Sequence, residues 1–150
     1  MKKARILCAL LMVLAVWTAA SSGTAVLASS ENRYAVAGIE NAAEFEKAFL
    51  TLQAAVSAND RGKVVDFVLY PLRVNGWLGE ATGKATVQFT TRQEVMGNFD
   101  DIFTTRVKEA LVKQKVGDLF VNWQGVMVGK GEAWLSISDK TPVGYGIIAV

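Results

Sequence analysis

The chain has 150 residues, with 16 basic and 14 acidic side chains, one cysteine and no histidine. The missing histidine excludes a Ser-His-Asp triad, a Cys-His pair and an ordinary structural zinc site. The basic excess sits at the front: removing Lys2, Lys3 and Arg5 with a leader leaves 13 basic against 14 acidic residues, a net of −1, so electrostatic capture of nucleic acid is not expected.

Residues 1–28 read as a cleavable secretory signal. Met1-Lys2-Lys3-Ala4-Arg5 is a cationic start, and residues 6–17 follow without a charge. That run is too short to cross a bilayer core of ~30 Å comfortably and suits a signal core. No basic stop-transfer flank follows it, so an uncleaved anchor is disfavoured. Val26-Leu27-Ala28 before Ser29 satisfies the small-x-small rule for cleavage, and Thr18-Ala19-Ala20 before Ser21 is the alternative. Cys8 lies inside the apolar run rather than at a cleavage point, so lipidation is not expected. Cleavage removes it, and the mature chain then has no thiol for a disulfide. The expected location is the periplasm or the extracellular space, with no stable membrane anchor.

About 122 residues remain, enough for one domain with its own core. Residues 29–40 have weak periodicity and read as a flexible lead-in, and 41–150 as a single domain. Asn41 caps a helix with Glu44 as its reciprocal partner. Phe45, Phe49, Leu52 and Val56 then recur on one helical face over 42–58. Asp60 caps a shorter helix over 61–68, which Tyr70-Pro71 ends, because the residue before proline disfavours helical geometry. Residues 72–76 read as a strand, 77–83 as a loop and 85–89 as a second strand.

Thr91 and Glu94 repeat the capping-box pattern and open a helix over 92–103, with Val95, Phe99, Ile102 and Phe103 as its apolar stripe. Thr104 or Thr105 caps another short helix carrying Val107, Ala110 and Leu111. After Gly117 the pattern turns to alternation: 119–123, 126–128, 133–138 and 145–150 read as strands. The turns between them are supplied by Gly129-Lys130-Gly131 and Ser138-Asp139-Lys140-Thr141-Pro142. Helices followed by a meander make an α+β domain, in which the helices cover the apolar face of a curved antiparallel sheet.

This order, with Tyr70-Pro71-Leu72-Arg73-Val74-Asn75-Gly76 and Phe120-Val121-Asn122-Trp123-Gln124-Gly125-Val126-Met127-Val128-Gly129, resembles small bacterial secreted members of the nuclear-transport-factor-2-like group over residues 42–150. The resemblance implies a cystatin-like cone of helices wrapped by a strongly bent antiparallel sheet, with a cavity at its wide end. The group includes dehydratases, isomerases and cyclases beside many non-catalytic binding and assembly modules. Its His–Asp catalytic pair cannot exist without histidine, and its Tyr–Asp set matches no motif here.

The residues themselves offer a few candidates. No phosphate-binding or dinucleotide fingerprint is present, so no cofactor is expected, and no metal site. Asp100 and Asp101 are adjacent on a helix and point about 100° apart, so they are no tight dyad, but Asp100 is one carboxylate that can face a cavity. Glu132 and Trp134 share a sheet face in the strand read from 132 onward. Arg73, between Leu72 and Val74, is the cation that Glu132 is best placed to hold, and it would anchor an anionic ligand. Tyr70, Trp123 and Trp134 either pack as core or line the pocket. Three functions stay open: a non-catalytic binding domain for a small, anionic ligand; a carboxylate-dependent lyase, isomerase or hydrolase; and a structural subunit that dimerises through its sheet. The expected partner is a small molecule or a protein.

Overall fold

The structure, a computed structural model, describes residues 31–77 and 85–150. The leader read over 1–28 and all but the first residue of the loop read over 77–83 lie outside the described residues; Trp77 itself ends a strand. Residues Glu31–Val150 form one compact unit.

Local chemistry sets the helices. Asn41 Oδ1 accepts from the Glu44 amide at 3.1 Å and starts α1, Ala42–Ser57. Asp60 does the same for the Lys63 amide at 3.1 Å and starts α2, Arg61–Asp66. The full reciprocal capping box forms at Thr91 and Glu94 and opens α3, Arg92–Gly97. That helix ends sooner than its apolar stripe suggests. Asn98 leaves helical geometry, its side chain donates to the Glu94 carbonyl at 2.8 Å, and a short α4, Phe99–Ile102, follows. Thr104 caps α5, Thr105–Lys113.

Six strands form one sheet: β1 Val68–Trp77, β2 Ala85–Phe89, β3 Phe120–Asn122, β4 Gly125–Val128, β5 Ala133–Ile137 and β6 Tyr145–Ala149, in the order β2-β1-β6-β5-β4-β3. The fold is α+β, as expected, but the sheet is mixed and open rather than wholly antiparallel. The meander β3–β6 is laid down from one edge inward, so its last strand meets β1 running the same way, and β1 and β6 pair in parallel. β2 and β3 remain as two separate edges. β1 is also longer than the strand read from the sequence. It begins before Tyr70-Pro71, so the proline lies within the strand and α2 ends earlier, at Asp66.

Alternation divides the sheet into two faces. Val126, Leu135 and Ile147 stand side by side in register and are 0–1% exposed. They join Phe45, Phe49 and Leu52 of α1 in one core. Phe45 is its centre, with ring centroids 4.9 Å from Tyr34 and 5.3 Å from Tyr145. The intervening residues Phe120, Met127 and Trp134 pair across β3, β4 and β5 on the outer face and are half-buried or exposed.

The stretch read as a flexible lead-in packs onto this domain from Asn32 onward. A short 3-10 turn, Ala35–Ala37, is flanked by Tyr34 and Ile39, both fully buried. The Tyr34 hydroxyl donates to Glu46 Oε1 at 3.0 Å, and the Arg33 guanidinium donates to the Gly117 carbonyl at 2.6 Å and to the Leu119 carbonyl. Weak periodicity hid these anchors because they are single side chains in an irregular segment. Among the described residues no helix is long and apolar enough to cross a membrane.

Candidate functional site

The end of the sheet where β1 and β6 finish and β5 begins carries a cleft of about 880 Å³. Its walls are the end of β1 (Val74, Asn75, Gly76), the α3–α4–α5 joints (Asn98, Asp101, Thr104) and the β4–β5 turn (Lys130, Gly131, Glu132). That volume is in the range of small-molecule sites.

Glycine makes the turn wall. Gly129 and Gly131 take φ values of 63° and 109°, which side-chain-bearing residues rarely adopt. The chain therefore doubles back so tightly that the Lys130 amide donates to the Glu132 carboxylate. Gln114 Oε1 fixes the other side of the turn by accepting from the Gly129 amide at 2.8 Å. The Thr104 cap places Arg106 in the first turn of α5, where its Nε and Nη2 donate to Glu132 Oε1 at 3.0 and 2.8 Å. The Lys130 amide and then the Arg106 guanidinium hold the Glu132 carboxyl below the usual carboxylate range. Glu132 is thus a charged, acceptor-only group near neutral pH.

The opposite wall holds the two adjacent aspartates. Asp100 accepts from Lys108 Nζ at 3.1 Å and Arg61 Nη2 at 2.7 Å, and these cations, the Lys108 hydrogen bond foremost, lower its pKa. Both also sit over the Phe99 ring, 5.1 Å from its centroid. Asp101 points elsewhere, as the helical offset requires. Among the described residues its carboxylate has no hydrogen bond or ion pair, and the Lys130 ammonium has none either. Neither Glu132 nor Asp100 is raised into the range in which a carboxylic acid carries a proton at neutral pH.

The residues read from the sequence scatter around this cleft. Asp100 lines it but is engaged by its two cations. Glu132 lines it too, through a different partner than expected: Arg106 and not Arg73. The reason is twofold. β5 begins at Ala133, so Glu132 belongs to the turn and bends toward α5, away from Trp134. Arg73 lies between the buried Leu72 and Val74 and so projects, exposed, from the outer face, with no ion pair among the described residues. The proposed concave Arg73–Glu132–Trp134 group does not form. Trp134 stands on the outer face opposite Met127. Trp123 is 78% exposed in the β3–β4 turn. Tyr70 borders a separate hollow of about 230 Å³ beside Asp66 and Arg92. Its hydroxyl is buried without a hydrogen-bond partner, and burial raises its pKa.

Sequence reasoning missed Arg106, Lys130, Asn75 and Asn98 as site residues, and set Asp101 aside in favour of Asp100. One signal was present: a Gly-x-Gly turn with Glu132 directly after it announces a carboxylate folded back onto its own turn. Among the described residues no group of three or more acidic or cysteine side chains is gathered to hold a metal ion. No family model matches the chain, and no curated protein or solved structure matches it either.

Proposed function

We propose that this chain is an exported, non-catalytic binding domain of nuclear-transport-factor-2-like architecture, which takes a small polar ligand in the cleft between β1, the α4–α5 joint and the 129–132 turn. The cleft carries the reading: a concavity of about 880 Å³ bordered by amide, hydroxyl and charged side chains from three separate segments. The architectural part rests on the order of elements, on helices gathered over one face of the sheet, and on a cleft at one end of it. The open sheet and the parallel β1–β6 pair depart from the strongly bent antiparallel sheet that the resemblance implies. Export rests on the composition of residues 1–28.

Native mass spectrometry of protein purified from its own cell envelope tests both parts. The expected N-terminus is Ser29, or Ser21 by the alternative cleavage, and the expected complex carries one small molecule that Asn75→Trp displaces by filling the cleft. A full-length cytoplasmic protein overturns export. A ligand that survives Asn75→Trp, or none at all, overturns the cleft.

A second reading is supported by the outer face, where Phe120, Met127 and Trp134 form an apolar row across three strands. Such a row on an uncovered sheet favours a dimer packed through that face. Sedimentation equilibrium distinguishes it: a monomer at high micromolar concentration excludes the dimer, and a dimer dissociated by Trp134→Glu supports it.

A further inference from the structure

The charges of the cleft separate into two kinds. Arg106 and Glu132 satisfy each other, and Asp100 is satisfied by Arg61 and Lys108, two cations from outside the cleft. That leaves one anion and one cation without a side-chain partner among the described residues: Asp101, on the α4 wall, and Lys130, at the tip of the β4–β5 turn. They belong to different walls of the same cleft. Asn75, whose Oδ1 accepts from the Thr86 hydroxyl, and Asn98, whose Nδ2 donates to the Glu94 carbonyl, also border it, and each keeps a further amide N–H and carbonyl lone pair.

We propose that the ligand is a short peptide with free termini, its ammonium held by Asp101 and its carboxylate by Lys130, its peptide groups meeting Asn75 and Asn98. This inference rests on the cleft being a binding site. A molecule with opposite charges at its two ends engages both unpartnered groups at once, whereas a simple anion or cation engages only one of them. A short peptide carries its two charges at opposite ends and supplies amides between them. The paired Arg106–Glu132 and Asp100 groups then act as fixed polar walls and compete for neither terminus.

The probe is trialanine, whose side chains are inert, compared with N-acetyl-trialanine and trialanine amide, each lacking one terminal charge. Binding is followed by calorimetry on the mature protein. Each terminal charge contributes a charge-assisted hydrogen bond, so removing one is expected to weaken binding about tenfold. Asp101→Asn is expected to abolish the preference for trialanine over the acetylated form while keeping the preference over the amide. Lys130→Gln is expected to do the reverse. Asp101→Glu and Lys130→Arg retain both preferences. Both positions are exposed and unpaired, so the variants are expected to melt like the parent. If the acetylated peptide or the amide binds as well as trialanine, the inference falls and the cleft reading stands. If trialanine fails to bind while the copurified molecule occupies the cleft, the outcome is the same. If trialanine binds and Asn75→Trp leaves it bound, the peptide sits elsewhere and the inference falls; if the copurified ligand also survives that substitution, the cleft reading falls with it.

Discussion

On the helix side of the sheet, Val126, Leu135 and Ile147 are aligned in register and almost wholly hidden from water. At the strand ends a few residues away, Asn75, Lys130 and Glu132 face a cleft in which polar and charged side chains stand beside apolar ones such as Val74 and Ile102. Backbone periodicity makes the first region: alternation along a strand and a four-three-four spacing along a helix each put apolar groups on one side. Exceptions to periodicity make the second. Two glycines with positive φ close the turn, an asparagine breaks a helix in two, and a threonine cap fixes where α5 begins. The interior is thus held by many interchangeable contacts and the cleft by a few specific ones. Substitutions should separate the two regions by size of effect.

The largest effect is expected inside. Leu52 is fully buried in α1, and Leu50, two positions earlier on the same helix, is 54% exposed. Leu52→Ala is expected to cost ~2–5 kcal/mol, by lost transfer energy and the cavity left behind. Leu50→Ala is expected to stay within ~0.5 kcal/mol. Urea denaturation measures both. Equal costs would mean that α1 is not seated on the sheet as described.

That helix was legible because Phe45, Phe49, Leu52 and Val56 repeat on one face whatever surrounds them, and the β-rich second half was legible for the same reason. The order of the strands was not. Nothing in residues 145–149 says that they pair in parallel with β1, since the partner lies more than seventy positions earlier and alternation is blind to direction. Glu132 shows the limit most clearly. Its type and its neighbourhood in Gly131-Glu132-Ala133-Trp134 were read, but a one-residue difference in where the strand starts changed its face and therefore its partner. Arg106 went unnoticed because an arginine in the first turn of an amphipathic helix looks like any solvated charge until the turn packed beside it is known.

A middle-sized effect is expected at the turn that makes the cleft. Gly129 has a φ of 63°, and a methyl group there would collide with the Glu132 carboxylate and press on Ala110 of α5. Gly129→Ala is expected to cost ~1–3 kcal/mol from backbone strain and loss of the Glu132 arrangement. It is also expected to lower ligand affinity in the cleft. Full stability with full affinity would show that the turn tolerates another shape and does not set the site.

Acid should reveal the Glu132 arrangement with a smaller signal. Its carboxyl titrates lower in the folded protein than in the unfolded chain, where ~4.3 is usual. The stability it contributes is complete above that unfolded value and disappears as pH falls through the lower folded value. Glu132→Gln keeps an oxygen to accept from the Lys130 amide and loses only the charge. Because Arg106 is largely in water, the cost at neutral pH is expected to be about 1 kcal/mol or less. As pH falls through the lowered folded-state value, the gap between variant and parent should close. A gap that widens in acid would mean that Glu132 binds its proton more tightly in the fold, contrary to the hydrogen bonds it accepts.

The smallest effect is expected at Arg73, the cation that its neighbours in the sequence made most suspect. Leu72 and Val74 point into the core at 0% and 4% exposure, so the residue between them must point out. Opposite it on β2 stands Gln88, which is also exposed, and among the described residues no carboxylate reaches it. Arg73→Gln is therefore expected to change stability by no more than ~0.5 kcal/mol, since it removes neither a buried contact nor an ion pair. It is also expected to leave binding in the cleft unchanged, because the guanidinium lies on the other side of the sheet. Thermal melts and the trialanine titration give the two readouts. A loss of stability would mean that Arg73 has found an acidic partner and that the outer face is more ordered than an exposed strand requires. A loss of affinity with stability intact would carry more weight. It would move the ligand to the outer face beside Trp134 and Met127, where the same arginine becomes the natural anchor and the cleft becomes a hollow without an occupant.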